Sequence, residues 1–228
     1  SSDVCSSDLE EARQLAAKIG YPVMLKATNG GGGRGIRRCN DEKELVGNYD
    51  RVISEASKAF GKPEVFLEKC VVNPRHIEVQ VIADSHGNVI HLFERDCSIQ
   101  RRNQKLIEIA PSPQLSEAQR EYIGNLAVKA AKAVGYENAG TVEFLLDSDN
   151  TFYFMEMNTR LQVEHTVTET ITGIDIVQEQ IRIADGQELQ YKQDEVKYRG
   201  FAMEFRINAE DPKNDFLPSF GKITRYYA

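Results

Sequence analysis

The chain has 228 residues, 41% of them hydrophobic, and a net charge of −7 from 28 lysines and arginines against 35 aspartates and glutamates. This composition predicts a folded globular protein and argues against a nucleic-acid partner, because nucleic-acid binding needs a basic surface. The four cysteines form no Cys-x-x-Cys pair and no apolar run reaches the ~18 residues of a membrane span, so we expect a cytoplasmic protein with neither a disulfide framework nor a membrane partner.

The first part of the chain predicts helices and short strands around a glycine-rich loop. Residues 1–9 show no hydrophobic period, so we expect a non-native or disordered leader there, and the missing initiator Met indicates a fragment. The predicted elements are a helix from Asp8 that stops at Gly20, strands at 23–27 and from Ile36 around a glycine loop, a helix capped by Asp41 that runs to about Phe60, and a strand at 65–70.

The second part predicts two hairpins and two further helices. Alternating residues at 76–83, a turn cluster at 84–88 and a second arm at 89–93 predict the first hairpin. Strands grouped in hairpins between single helices favour an α+β fold over a doubly wound parallel sheet. The other predicted elements are a helix from Ser116 to about Val134, a hairpin with arms at 141–146 and 151–157, a helix from Asp175 to about Ala184 and a strand at 201–208.

The glycine loop is a candidate phosphate-binding site. Four successive glycines at 30–33 let backbone N–H groups close on an anion, although such loops also occur as plain turns. The spacing matches neither the P-loop nor the dinucleotide-binding glycine pattern. Lys26, near the end of the preceding apolar strand, favours the anion, because a cation is costly to bury alone.

Two glutamates of the second hairpin form a candidate metal site. With a four-residue turn at 147–150, the numbers of facing residues sum to 297, so Glu143 and Glu156 are diagonal on one face, about 7–8 Å apart. An even sum would put them on opposite faces. Neighbouring apolar residues argue against a merely exposed acidic face, and we expect Mg²⁺ (or Mn²⁺), which binds carboxylate and phosphate oxygens.

Polar residues recur at every second position from Glu156 onward. Glu156, Asn158, Arg160, Gln162 and Glu164 alternate with apolar residues, so an extended segment would present all five on one side. That arrangement predicts a substrate-binding row, and a solvated edge strand is the alternative.

Four cations lie between residues 95 and 105, namely Arg95, Arg101, Arg102 and Lys105. In an acidic protein with a phosphate loop and a carboxylate pair, such a cluster can focus anionic substrates into a cleft, and a solvated charge run is the alternative. His76 and His165 lack metal-ligand spacing and are expected to form hydrogen bonds.

Four segments together resemble biotin carboxylase, an ATP-grasp enzyme. They are Lys26 to Gly35, Arg95 to Lys105, EMNTRLQVEH at 156–165 and RINAED at 206–211. The resemblance covers nearly everything after residue 9 and implies an incomplete ATP-grasp fold, with a glycine-loop lid subdomain at 10–70 and a truncated catalytic and carboxy-terminal domain at 71–228. It implies that ATP and bicarbonate give carboxyphosphate, which carboxylates a biotin carried on a partner protein or domain.

The resemblance also implies roles for individual residues. ATP phosphates would be gripped by Lys26 and the Gly32–Gly33 region, and Mg²⁺ would be held by Glu143, Glu156 and Asn158. The nucleotide pocket would be lined by Glu68, Lys69, His76, Gln100 and Asn103, the last standing where many members carry a His that contacts the ribose. Bicarbonate would be bound by Lys105, Arg160, Gln162 and Val163. Glu164 would be its general base, and Arg160 and Arg206 would stabilise the enolate-like biotin or neighbouring phosphate charge.

The resemblance further implies that a carboxyltransferase subunit is a partner and that the full-length form is a homodimer. LIEIAPSP at 106–113 and FLPSF at 216–220 look most like the biotin carboxylase subunit of two-subunit pyruvate carboxylases. Acetyl-CoA carboxylase, another ATP-grasp ligase such as a carbamoyl-phosphate synthetase half, and an inactive nucleotide-binding fragment are the alternatives. The sequence contains no match to the family's amino-terminal Rossmann-like domain or to a further lysine that binds ATP. We therefore expect this piece alone to be impaired or inactive.

Overall fold

The computed structural model describes residues 4–6, 8–28, 35–60, 65–225 and 227. The chain divides into two compact units, one made of residues 1–74 and 145–154 and the other of residues 75–144 and 155–228. The predicted subdomain boundary between residues 70 and 71 stays a prediction. Gly32 and Gly33 lie outside the described residues.

Within its described residues, the first unit contains two helices and a four-stranded antiparallel sheet. Its sheet has the order β1-β4-β2-β3. The elements are β1 (Val4–Ser6), α1 (Leu9–Ile19), β2 (Val23–Ala27), β3 (Ile36–Cys39), α2 (Glu42–Phe60) and β4 (Val65–Lys69). Asp8 and Asp41 cap the two helices by accepting backbone N–H groups at 2.8 Å. These bounds confirm the predicted helices and strands, but Val4–Ser6 pairs with β4 and is therefore part of the sheet rather than of a disordered leader.

The core of the first unit lies on one face of its sheet. Leu25 and Leu67 are fully buried there with Ala12, Ala16 and Leu45 from the helices. Burial alternates along β2 and β4, so the intervening side chains, including Lys26 and Glu68, are on the opposite face and partly exposed.

The second unit is built on a six-stranded sheet with the order β10-β7-β6-β5-β8-β9. Its elements are β5 (Arg75–Ala83), β6 (Val89–Arg101), β7 (Gln104–Ala110), α3 (Glu117–Ala133), β8 (Asn138–Leu146), β9 (Phe152–Asn158), α4 (His165–Thr172), α5 (Ile176–Ala184), β10 (Ala202–Phe205), β11 (Glu210–Asp211) and β12 (Leu217–Pro218). Hairpins, two of the helices and the α+β class agree with the sequence prediction. Among the described residues, no helix is long and apolar enough to cross a membrane.

Two segments of this unit differ from their predictions. The stretch treated as a cationic run forms a hairpin, with Arg102 and Asn103 at its turn in left-handed conformations (φ 53° and 62°). The predicted extended row at 156–164 is also wrong, because β9 ends at Asn158. The carbonyl of Gln162 accepts hydrogen bonds from the backbone N–H and Nδ1 of His165, which turns the chain into α4.

The turn of the β8–β9 hairpin is not the predicted four-residue turn. Asp147 N donates to Thr151 O at 3.1 Å and Asn150 N donates to Asp147 O at 3.2 Å, which closes a three-residue loop. The Asp147 side chain also accepts Thr151 N, and Asn150 has a φ of 61°, which Asn tolerates. A regular ladder from this turn pairs residues whose numbers have an even sum. The turn therefore does not support the shared face predicted for Glu143 and Glu156, and that placement stays a prediction.

Candidate functional site

Lys105 on β7 lies among three carboxylates of the second unit. Its Nζ donates to Glu78 Oε2 at 2.5 Å, Glu164 Oε1 at 2.7 Å and Glu143 Oε1 at 3.0 Å. These partners come from β5, β8 and the turn before α4. Burial lowers the pKa of Lys105, but the negative charges, that of Glu78 first, outweigh burial and hold this pKa above its ordinary value. Lys105 is therefore a cation at neutral pH, and with these three glutamates it forms what we call the Lys105 cluster.

Glu143 is a buried carboxylate that stays charged. Burial raises its pKa, but the adjacent His76 ring and the charge of Lys105 prevail and lower the pKa to about 2. His76 Nε2 lies 3.2 Å from Glu143 Oε2, and Gln162 Nε2 donates to Glu143 Oε1 at 3.1 Å. Gln100 Nε2 lies 3.0 Å from His76 Nδ1, and His76 Nε2 lies on the side of Glu143. Two predicted nucleotide-pocket residues, His76 and Gln100, are thus connected to the Lys105 cluster.

Glu164 is held between two cations. It is 2% exposed, and its Oε2 accepts a hydrogen bond from Arg206 Nη2 at 2.8 Å while its Oε1 accepts from Lys105. Arg206 also donates from Nε to the buried Glu108 at 2.7 Å. A carboxylate with a fixed cation on each side can accept a proton from a bound anion whose charge those cations stabilise.

The predicted substrate-attracting cluster of four cations is not present as such. Arg95 is fully buried. Arg101 forms an ion pair with Glu210, and Arg102 forms one with Asp215. Burial of Arg95 contradicts an open field of four cations for anions. Lys105 joins the site directly, and Arg95 contacts Glu78 and Gln162 beside it. For Arg101 and Arg102 the substrate-attracting role stays a prediction.

Several predicted site residues lie apart from the Lys105 cluster. Arg160 is exposed and donates to the neighbouring Leu161 carbonyl at 3.2 Å, and Val163 is 62% exposed. Asn103 is exposed at the β6–β7 turn, and Glu156 is exposed on β9. Among the described residues, the groups of three potential ligands within 4.8 Å combine Glu143 with His76 and Glu78, or Glu164 with Glu78 and Cys97; none contains Glu156.

The predicted nucleotide residues of the first unit contact each other or the backbone. Lys26 forms an ion pair with Glu68, and Lys69 Nζ donates to Gly20 O at 2.9 Å. The anion that the sequence required for Lys26 is therefore supplied by Glu68 in this structure.

Glu78, Glu108 and the bonding of Arg95 were missed by sequence reasoning. Glu78 stands at a polar position of an alternating strand, which favours the solvent side, yet it is fully buried. Its alternation with apolar neighbours was the only signal, and that signal does not distinguish a solvated glutamate from one paired with a distant lysine.

The chain is similar to known carboxylases. The family model described as "Carbamoyl-phosphate synthase L chain, ATP binding domain" matches residues 1–192. The 2-oxoglutarate carboxylase small subunit of Hydrogenobacter thermophilus is 61% identical over 99% of this chain and 48% of its own length. A pyruvate carboxylase subunit of Methanothermobacter thermautotrophicus is 58% identical, with 96% and 45% covered. The chain thus spans about half the length of the curated relatives it matches.

Solved structures of biotin carboxylases also match the chain. The biotin carboxylase domain dimer of the Hydrogenobacter thermophilus 2-oxoglutarate carboxylase, in complex with MgADP, ADP and bicarbonate, matches with a TM-score of 0.86 and 62% identity, covering 97% of this chain and 49% of that one. The Campylobacter jejuni biotin carboxylase complex with βγ-ATP gives a TM-score of 0.88 and 54% identity, with 99% and 51% covered. These matches confirm the resemblance seen in the motifs and the predicted, incomplete ATP-grasp fold.

Proposed function

The chain belongs to the family of carbamoyl-phosphate synthase L chain ATP-binding domains, and from this premise we propose that it is the ATP- and bicarbonate-binding part of a biotin carboxylase. In the proposed reaction bicarbonate attacks the terminal phosphate of ATP and displaces ADP to give carboxyphosphate. Its carboxyl group then replaces the N1 proton of a biotin carried on a partner protein or domain, and phosphate leaves. The observation that carries the proposal is the contact of Glu164 with both Lys105 and Arg206.

Bicarbonate is assigned to the Lys105 cluster. Lys105 and Arg206 supply two fixed positive charges, and Gln162 supplies an amide beside them. Glu164 accepts the bicarbonate proton as general base, which makes the bicarbonate oxygen a better nucleophile toward the terminal phosphate of ATP. Arg206 then stabilises the negative charge that develops on biotin. Arg160 and Val163 join this set on the strength of the resemblance.

The nucleotide residues are proposed from the resemblance. Lys26 and the Gly32–Gly33 region would bind the phosphates, and Glu68, Lys69, His76, Gln100 and Asn103 would contact the rest of the nucleotide. Because Lys26 is paired with Glu68, a phosphate at Lys26 has to compete with that carboxylate. The related structures that contain ADP or βγ-ATP support this assignment.

Mg²⁺ is assigned to Glu143, Glu156 and Asn158. Glu143 fits the ion, because its pKa of about 2 keeps the carboxylate charged and hard oxygens suit Mg²⁺. Asn158 adds an amide oxygen at the end of β9. Glu156 is assigned by residue type and by resemblance. It is exposed on β9, so the substitution Glu156→Gln tests whether it binds the ion. When bound, the ion would neutralise phosphate charge of the nucleotide.

The partners follow the same proposal. Pyruvate is the proposed final acceptor, reached through a separate carboxyltransferase subunit. The resemblance of residues 106–113 and 216–220 supports pyruvate, and the 58% identity with the Methanothermobacter thermautotrophicus pyruvate carboxylase subunit is compatible with it. The biotin carboxylase of acetyl-CoA carboxylase is the alternative, since Biotin carboxylase 1 of Bacillus subtilis is 56% identical.

A homodimer is proposed because a related domain is described as a dimer. A cytoplasmic location also stays a proposal.

Bicarbonate-dependent ATP cleavage tests the function. The full-length protein that contains this chain is expected to form ADP with Mg-ATP, bicarbonate and free biotin, and to lose that activity when bicarbonate is removed. Cleavage that depends on an ammonia source instead would indicate another ATP-grasp ligase. Nucleotide binding without turnover in the full-length protein would contradict the proposal.

A further inference from the structure

The guanidinium of Arg95 donates five hydrogen bonds to side chains from four parts of the second unit. Arg95 is fully buried on β6. A guanidinium has five N–H donors, so every donor of Arg95 is used. The acceptors are Glu78 Oε1 (2.6 Å), Gln80 Oε1 (2.8 Å), Thr168 Oγ1 (2.9 Å), Gln162 Oε1 (3.1 Å) and Thr141 Oγ1 (3.2 Å).

One of these bonds fixes the direction of the Gln162 amide. Its Oε1 accepts from Arg95, so its Nε2 points away and donates to Glu143 Oε1 at 3.1 Å. An amide rotated by half a turn would set Nε2 against the guanidinium, where two donors would meet. The orientation that Gln162 offers to a ligand therefore depends on Arg95.

A second bond fixes the carboxylate that holds Lys105. Arg95 occupies Glu78 Oε1, which leaves Oε2 for the Lys105 ammonium at 2.5 Å. Burial raises the pKa of Glu78, but the charges of Arg95 and Lys105 outweigh it and keep this pKa below its ordinary value. Glu78 therefore stays an anion, and Lys105 stays anchored to it, because Arg95 is charged.

We propose that Arg95 is a positioning residue that orients Gln162 and anchors Lys105 for bicarbonate, without contacting the substrate itself. This inference rests on the proposed function. Arg95 has neither exposed surface nor a spare donor for a ligand. Arg206 differs in this respect, since 28% of its side chain is exposed. Through its bonds to Gln162 and Glu78, Arg95 holds the Gln162 amide and the Lys105 ammonium, the two groups assigned to bicarbonate.

The test is Arg95→Lys in the full-length protein, with steady-state ATP cleavage measured against bicarbonate and ATP separately. A lysine keeps the positive charge, but its three donors on one atom cannot reproduce the planar fork. We expect the KM for bicarbonate to rise about tenfold or more, by analogy with the loss of the hydrogen-bond partner behind a metal ligand. The KM for ATP should change much less.

Arg120→Lys is the matched control. Arg120 is a second buried arginine of this unit, 5% exposed, and it donates instead to Glu94 and to the carbonyls of Ser112 and Leu115. This variant should lower the melting temperature without changing the KM for bicarbonate. An equal rise of that KM in both variants would overturn the positioning role, as would equal rises for bicarbonate and ATP in Arg95→Lys.

Thr141→Val tests the positioning role of Arg95 if Arg95→Lys does not fold. It removes one acceptor from Nη2, the nitrogen that also holds Gln162, and should raise the bicarbonate KM to a smaller extent. An unchanged bicarbonate KM in a folded Arg95→Lys or, failing that, in Thr141→Val overturns the inference while wild-type activity still supports the proposed function. Wild-type protein without bicarbonate-dependent cleavage would overturn both.

Discussion

The two lysines assigned to anionic substrates lie in very different surroundings. Lys105 has a side chain that is 14% exposed and bonds three carboxylates, two of which also bond other cations. Lys26 is 28% exposed and pairs with one carboxylate, Glu68, which is itself 30% exposed. A buried, multiply bonded ion network is preorganised, whereas a half-exposed pair adds little stability and exchanges partners readily. Under the proposed function, bicarbonate would bind beside the fixed network of Lys105 and the nucleotide phosphates beside the exchangeable Lys26–Glu68 pair.

The largest expected effect is on stability, from Lys105→Met. Removing this cation leaves buried carboxylates without their shared partner, so we expect a loss of about 3–5 kcal/mol in the free energy of unfolding, measured in urea. Lys129→Met on the exposed side of α3 is the control and should change it very little. A similar small effect for both would show that Lys105 is not part of a tightly bonded network.

Glu156→Gln is expected to weaken magnesium-dependent nucleotide binding by about tenfold, because a proposed metal ligand loses its charge. Calorimetry with Mg-ATP and with metal-free ATP separates this effect from a loss of nucleotide contacts. Asp149→Asn, an exposed carboxylate in the β8–β9 loop, is the control. Unchanged Mg-ATP affinity in Glu156→Gln would remove Glu156 from the metal site and would fit the even register of the hairpin turn.

Acid should destabilise the protein through Glu143. The pKa of Glu143 is lowered from 4.5 to about 2, so its stabilising contribution is complete above the unfolded value and is lost as pH falls through the folded value. We expect the free energy of unfolding to decrease between about pH 4.5 and 2, and Glu143→Gln to reduce that slope. An identical slope in wild type and variant would contradict the charged, buried state of Glu143.

The smallest expected stability effect comes from Glu68→Gln. Because the Lys26–Glu68 pair is partly exposed on both sides, its loss should cost about 0–1 kcal/mol. A loss of several kcal/mol in urea unfolding would contradict the exchangeable character given to this pair.

Helix positions were predictable because their signals are local. Asp8, Asp41, Ser116 and Asp175 each accept a backbone N–H three residues later, a contact that depends only on neighbouring residues. Helix α4 was missed, because its start depends on how Gln162 and the side chain of His165 bond.

The candidate site was predictable in its membership more than in its arrangement. Lys105, Glu164 and Arg206 were singled out, and the structure joins them. Arg95 and Glu78 depend on partners tens of residues away along the chain, so hydrophobic pattern alone gave no sign of their burial. The register of the β8–β9 hairpin depends on which residue at the end of β8 pairs across the turn with Thr151. Asp147 does so here, and its side chain accepts hydrogen bonds from the backbone N–H groups of Asp149 and Thr151.

In the proposed reaction, Glu164, set between Lys105 and Arg206, removes the proton of bicarbonate. The direct measurement is bicarbonate-dependent ATP cleavage by Glu164→Gln in the full-length protein, together with Mg-ATP affinity. We predict a fall of about 100-fold or more in turnover with nucleotide affinity preserved. Turnover equal to that of the wild type would contradict the role of Glu164 as general base.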